Sequence, residues 1–181
     1  MDLAVLEEIR QLKFRYLRCV DQKLWDEMAD VFTEDATVDY GTRVYGKPLK
    51  LAGRHEIIAF FRANLGPEII TVHAAGQPEI TVDGDKASGT WRFEDKVIAT
   101  EHRVVITGAA FYQDQYERGA DGAWRIAHTG YVRTYEAMVS LDDLPGFKFL
   151  AGPPKAAPGA AAPAVDTAAD AGTSVADAAV R

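Results

Sequence analysis

Only one cysteine, Cys19, occurs in the sequence, so no intramolecular disulfide can form and no thiolate cluster can hold a metal. Basic clusters are missing as well: 20 Lys and Arg stand against 27 Asp and Glu, a formal net charge of -7. Nucleic acids and anionic membrane surfaces reward dense Lys and Arg, so neither is expected as a partner. No apolar run approaches the roughly 20 residues that cross a bilayer. The opening "MDLAVLEEIRQL" has helical period and early acids rather than the form of a secretory signal, and a cytoplasmic location is the expectation. No two histidines have ligand spacing, so no metal site is expected. Aromatic residues are absent after Leu150, where Ala, Pro and Gly take over. Such a composition cannot bury enough apolar surface to offset the entropy of ordering it. Residues 1–150 are therefore read as one folded domain and 151–181 as a disordered tail.

The domain itself is well supplied with core material, at 48% hydrophobic and 10% aromatic residues over the chain. Leu3, Leu6, Ile9, Leu12, Tyr16, Leu17 and Val20 recur at helical spacing and mark one long helix. Trp25, Met28, Val31 and Phe32 suggest a second, short helix ending near Thr33. The stretch "ATVDYGTRVYGK" reads as a strand and turn, and "GRHEIIAFFRANL" as a third helix. Four long runs rich in Val, Ile, Thr and aromatics follow, punctuated by Asp83-Gly84-Asp85 and Asp121-Gly122. Gly76-Gln77-Pro78 interrupts the first of them like a bulge. Helices first and a meander afterwards predict an α+β fold: N-terminal helices packed on a strongly curved antiparallel sheet that encloses an apolar pocket.

Strand alternation then selects the polar residues that face that pocket. Asp95 shares a face with Trp91, Phe93 and Val97; Arg133 shares one with Tyr131 and Tyr135; His73 shares one with Thr71 and Ala75. Buried charge is costly unless paired, so three elements each offer one ionisable group in an apolar surround. Asp21, among Cys19, Val20, Leu24 and Trp25, is a fourth, with the hydroxyls of Tyr16 and Tyr40 nearby in the pattern. Such a set suits proton transfer: a carboxylate fixes an imidazole's tautomer, and a buried tyrosine donates to developing oxyanion charge. Bland readings stand beside this one. Asp21 can cap a helix, Asp95 and Arg133 can be a structural ion pair, Tyr16 can be core, and His55, His102 and His128 are read as structural or exposed.

The stretches "YLRCVDQKLWDE", "HAAGQPEITVD", "WRFED", "GAAFYQDQYE" and "TGYVRTYE" resemble the NTF2-like, SnoaL-like cone fold, and within it the bacterial bile acid 7α-dehydratase family. The likeness runs from about Ile9 to Glu136 and is loose between Phe32 and Glu68. It implies a catalytic set of Tyr16, Asp21, His73, Asp95 and Arg133. Tyr40, Trp91, Gln113 and Tyr135 are expected to line the substrate pocket. The Asp21–His73 pairing is also similar to the dyads of scytalone dehydratase and hexachlorocyclohexane dehydrochlorinase. Two positions depart from neighbouring families: Val97 stands near the second histidine of scytalone dehydratase, and Tyr40 where ketosteroid isomerase has its base. The resemblance implies a dehydratase of a 7α-hydroxy-3-oxo-Δ4 steroid, needing no metal, nucleotide or other cofactor, and assembled as a homotrimer. Two alternatives remain open: the same site on another hydroxy-ketone, polyketide or halogenated substrate, and a non-catalytic small-molecule-binding module.

Overall fold

The computed structural model describes residues 2–44 and 46–152, so the expected tail lies, from residue 153 on, outside the described residues. Helix α1 spans Leu3–Gln22, and Asp2 caps it by accepting from the Ala4 amide. Its apolar stripe buries Ile9, Leu12, Tyr16, Leu17 and Val20. The helix stops at Lys23, whose φ of 59° is left-handed and whose amide bonds back to the last turn. Helix α2, Trp25–Ala29, is shorter than its periodicity suggests. Val31 and Phe32 are fully buried, yet Phe32 already opens strand β1 (Phe32–Tyr40), because a strand can bury the same side chains. After β2 (Leu49–Ala52) and α3 (Arg54–Asn64) come four long strands: β3 (Ile69–Asp83), β4 (Lys86–Ala99), β5 (Val104–Arg118) and β6 (Trp124–Ser140). A single helical turn, Leu141–Asp143, follows β6.

These strands form one open six-stranded sheet in the order β2-β1-β6-β5-β4-β3, with α1 and α3 packed on one face. The α+β cone expected from the sequence is the architecture observed, with one correction. The sheet is mixed, because β1 runs parallel to β6, pairing Val38 with Thr129 and Tyr40 with Tyr131. Alternation and turn residues specify hairpins, whereas strands far apart in sequence leave no local mark of their relative direction. The β3 bulge falls between Gly76 and Glu79, with Gln77 at φ 51°. Among the described residues no helix is long and apolar enough to cross a membrane.

Candidate active site

A cavity of about 110 Å³ opens between the helices and the inner face of the sheet. Val20 of α1, Phe60, Phe61 and Leu65 of and after α3, and Val97 and Ile106 of the sheet form its apolar wall. Into this wall α1 delivers Asp21, half a turn from its end, and β3 delivers His73. The Asp21 carboxylate holds His73 twice. Oδ1 lies 2.7 Å from the ring Nδ1, and Oδ2 accepts the His73 backbone amide at 2.9 Å. Two bonds to one residue fix both strand position and ring orientation. With a carboxylate on Nδ1, that nitrogen carries the proton and Nε2 is left with its lone pair. The Tyr16 and Tyr40 hydroxyls lie 2.6 Å apart, and both residues are buried and line the same cavity. Burial raises both phenols above their ordinary range, so they stay neutral and remain hydrogen-bond donors.

The sheet wall that continues from His73 is a cross-strand row. His73 pairs with Asp95, Asp95 with Gly108, and Gly108 with Glu136, from β3 through β6. Gly108 has no side chain, and the Arg133 guanidinium fills the space it leaves. A Cβ there would stand 2.7 Å from Arg133 Nη1 and 2.9 Å from the Tyr135 carbonyl oxygen. Arg133 donates from Nη1 and Nη2 to the two Asp95 oxygens at 2.6 and 2.8 Å, and its Nε lies 3.2 Å from Glu136. Burial alone would lower the guanidinium pKa; the Asp95 bonds, with Tyr131 and Glu136 adding to them, raise it instead. Glu136 also accepts from the Thr42 hydroxyl at 2.8 Å and the Arg43 amide at 2.7 Å, tying the chain after β1 to this wall. Gly108→Ala is accordingly expected to lower unfolding free energy by about 1–3 kcal/mol, read by chemical denaturation, because the guanidinium must leave its place between the two carboxylates.

Six of the nine site residues named from sequence meet here: Tyr16, Tyr40, His73, Asp95 and Arg133 line the cavity, and Asp21 stands behind His73. The other three do not. Trp91 is on the inner face but deeper, fully buried, with its indole nitrogen donating to the Tyr116 hydroxyl at 2.8 Å. Gln113 faces outward, because Tyr112 and Asp114 on either side of it point in; Thr90 donates to its side chain across the exposed face. Tyr135 is half exposed for a different reason. Ala110 pairs with Arg133 and Ala109 with Tyr135, so Thr134 is an extra residue in β6 and the alternation reverses after it. Glu136, not Tyr135, therefore turns inward. Glu136 left no mark in a regular two-residue pattern, whereas Tyr112 and Tyr131, also lining the cavity, obey that pattern.

Two further buried charges obey the periodicity of their elements. Lys13 lies on the buried stripe of α1, four residues from both Ile9 and Leu17, and Asp114 sits between Tyr112 and Tyr116 on β5. Their side chains are fully buried and form an ion pair at 2.8 Å. Asp114 also accepts from the hydroxyls of Tyr116 and Thr129, each at 2.7 Å. The Lys13 ammonium stands 3.3 Å from the centroid of the Tyr112 ring. Burial lowers the Lys13 pKa, and Asp114 works against that. Among the described residues no group of three or more His, Cys, Asp or Glu side chains is placed to hold a metal ion.

A family description for a SnoaL-like domain matches residues 1–130. An uncharacterized protein of Mycobacterium tuberculosis (strain H37Rv) is 32% identical over 134 residues, which cover 73% of this chain and 87% of the relative. Solved structures with a similar fold include a hexachlorocyclohexane dehydrochlorinase of LinA type 3 from Novosphingobium barchaimii. That protein is 20% identical, with a TM-score of 0.67 over 82% of this chain and 96% of its own. A protein named for scytalone dehydratase, from Novosphingobium aromaticivorans, is also 20% identical, with a TM-score of 0.65 over 75% of this chain and 87% of its own. At these identities the two likenesses speak for the fold alone.

Proposed function

Since this chain belongs to the SnoaL-like domain family, we propose that its cavity houses an acid–base lyase that removes water from a hydroxy-carbonyl compound without a cofactor. The observation that carries the reading is the doubly bonded Asp21–His73 pair facing a cavity with two neutral tyrosine hydroxyls. The Nε2 atom of His73 takes the acidic proton next to the conjugated carbonyl system. The electron pair left behind delocalises onto the carbonyl oxygen, where a tyrosine hydroxyl donates to it. As that charge returns, the new double bond forms and the C–O bond to the hydroxyl breaks. The proton held by His73 completes the departing water, and the pair is restored. Tyr16 and Tyr40 share the donor role, since one hydroxyl bonding the other leaves a second proton free for substrate. Asp95 and Arg133 hold the sheet wall beside His73 in place.

For substrate, the sequence resemblance favours a 7α-hydroxy-3-oxo-Δ4 steroid, whose product is a 4,6-dien-3-one. Mixing purified protein with that enone and following ultraviolet absorption tests the reading: conjugation lengthens, so the band moves to longer wavelength. An unchanged spectrum sinks the steroid assignment. A second reading keeps the site and changes the substrate to a hydroxy-ketone of one or two rings. The cavity volume of about 110 Å³ favours the one-ring end of that range, being less than the roughly 150 Å³ that accommodates a single benzene in an engineered core. The homotrimer belongs to the same proposal. Phe111 and Val132, paired across β5 and β6, are exposed on the outer face and offer a surface for assembly, which light scattering in solution measures directly.

A further inference from the structure

The one cationic side chain lining the cavity, among the described residues, is Arg133. A lone arginine in an apolar pocket ordinarily reads as a receptor for a carboxylate or phosphate. Its surroundings here contradict that role. Both ends of its fork already engage the two oxygens of Asp95, and its Nε faces Glu136. The Tyr131 ring centroid lies 4.9 Å from the guanidinium carbon and that of Phe93 5.5 Å away, leaving the side chain 11% exposed. Two carboxylates against one guanidinium leave an excess negative charge on this wall, and Asp21 stands behind His73, the cross-strand neighbour of Asp95. Two lysines of and just after α1 are engaged outside the cavity. Lys23 donates to the Thr71 hydroxyl from outside the lining, and Lys13 is paired with Asp114.

We infer that the cavity selects uncharged substrates and rejects anions of the same shape, with Asp95 and Glu136 acting as the selecting residues by neutralising Arg133. An anion entering here leaves water for a wall of net negative charge, and no free guanidinium edge with unbalanced charge repays that loss. A neutral carbonyl or hydroxyl meets no such penalty. It can also take a guanidinium N–H group that the carboxylates leave unused, since five are present and only two are hydrogen-bonded, both to Asp95. The inference rests on reading this cavity as a substrate site, and it narrows the class: the part of the molecule inside the cavity is neutral, and any acid group stays outside.

The test compares benzamide with benzoate, isosteric one-ring probes of which only the second is an anion near neutral pH. Calorimetry or ligand-observed NMR on the full chain gives both affinities. Wild type is expected to bind benzamide at least about tenfold more tightly. Asp95→Asn keeps shape and one acceptor oxygen but removes the charge, and should move the ratio toward benzoate by about tenfold or more. Glu136→Gln should move it in the same direction, which keeps the test decisive if one variant folds poorly. Equal or tighter binding of benzoate by wild type overturns the inference, as does a ratio unmoved in both variants. Probe binding needs no turnover, so a steroid enone that stays unconverted would count against the elimination and not against this selection.

Discussion

His73→Ala is expected to lower kcat/KM for the elimination by about 10²–10⁴-fold, the range typical for removing a positioned general base. The loss should fall on kcat, with KM little changed, because the imidazole acts on the proton in flight rather than on the bound ground state. Asp21→Asn is the informative companion. The carboxylate accepts from both the ring and the backbone amide of His73, one oxygen to each. An amide has a single acceptor oxygen, so one of those bonds is lost or inverted, and the ring loses its fixed tautomer. A kcat loss of about 10–10²-fold is expected, with unfolding free energy lowered by only about 1 kcal/mol, the contribution of one hydrogen bond. Full activity in His73→Ala would place the base elsewhere and end the proposed mechanism.

The largest effect on stability is expected away from the chemistry. Lys13 and Asp114 form an ion pair with no solvent exposure on either side chain. Removing one partner leaves the other charged and buried, which costs about 3–5 kcal/mol. Lys13→Met or Asp114→Asn should therefore each lower Tm by roughly 10 °C in a chain of this size. The double variant distinguishes pairing from packing. If the cost comes from an orphaned charge, Lys13→Met with Asp114→Asn is less destabilised than the sum of the two single changes. A purely additive double variant would mean the ion pair itself contributes nothing. The tyrosines supply a second readout: Lys13 stands over the Tyr112 ring, and that ring makes an edge contact with Tyr16 at 6.2 Å. Loss of the ammonium should shift near-ultraviolet tyrosine signals even where the fold survives.

Much of this geometry could be read from residue spacing, and the failures have separable causes. Asp21, Tyr16 and His73 interrupt strongly periodic elements, so the faces of α1 and β3 already bring them toward one space. Trp91 shows that alternation gives the face but not the depth: it shares its side of β4 with Asp95, yet it is fully buried against Phe14 of α1 and Tyr116 of β5. Gln113 violates a rule that was available, since Tyr112 and Tyr116 define the inner face of β5 and an odd neighbour between them points out. The same rule marks Asp114 as buried, and helical spacing marks Lys13. Residue type argues against both, because lysine and aspartate are seldom fully buried, and only the pair makes either acceptable. The parallel contact of β1 with β6 and the inward turn of Glu136 were beyond reach, because one depends on long-range pairing and the other on a single unpaired residue.

That unpaired residue, Thr134, gives Arg133 and Glu136 an unusual relation: three positions apart on a strand, yet on the same side. In a related chain without the insertion, an equivalent arginine and carboxylate would stand two apart while occupying the same points in space. An alignment column is then the wrong unit for comparing this wall between homologues. A column-by-column reading would match Glu136 with a residue of opposite orientation, and would report a lost acid where the charge has only changed its place in the chain.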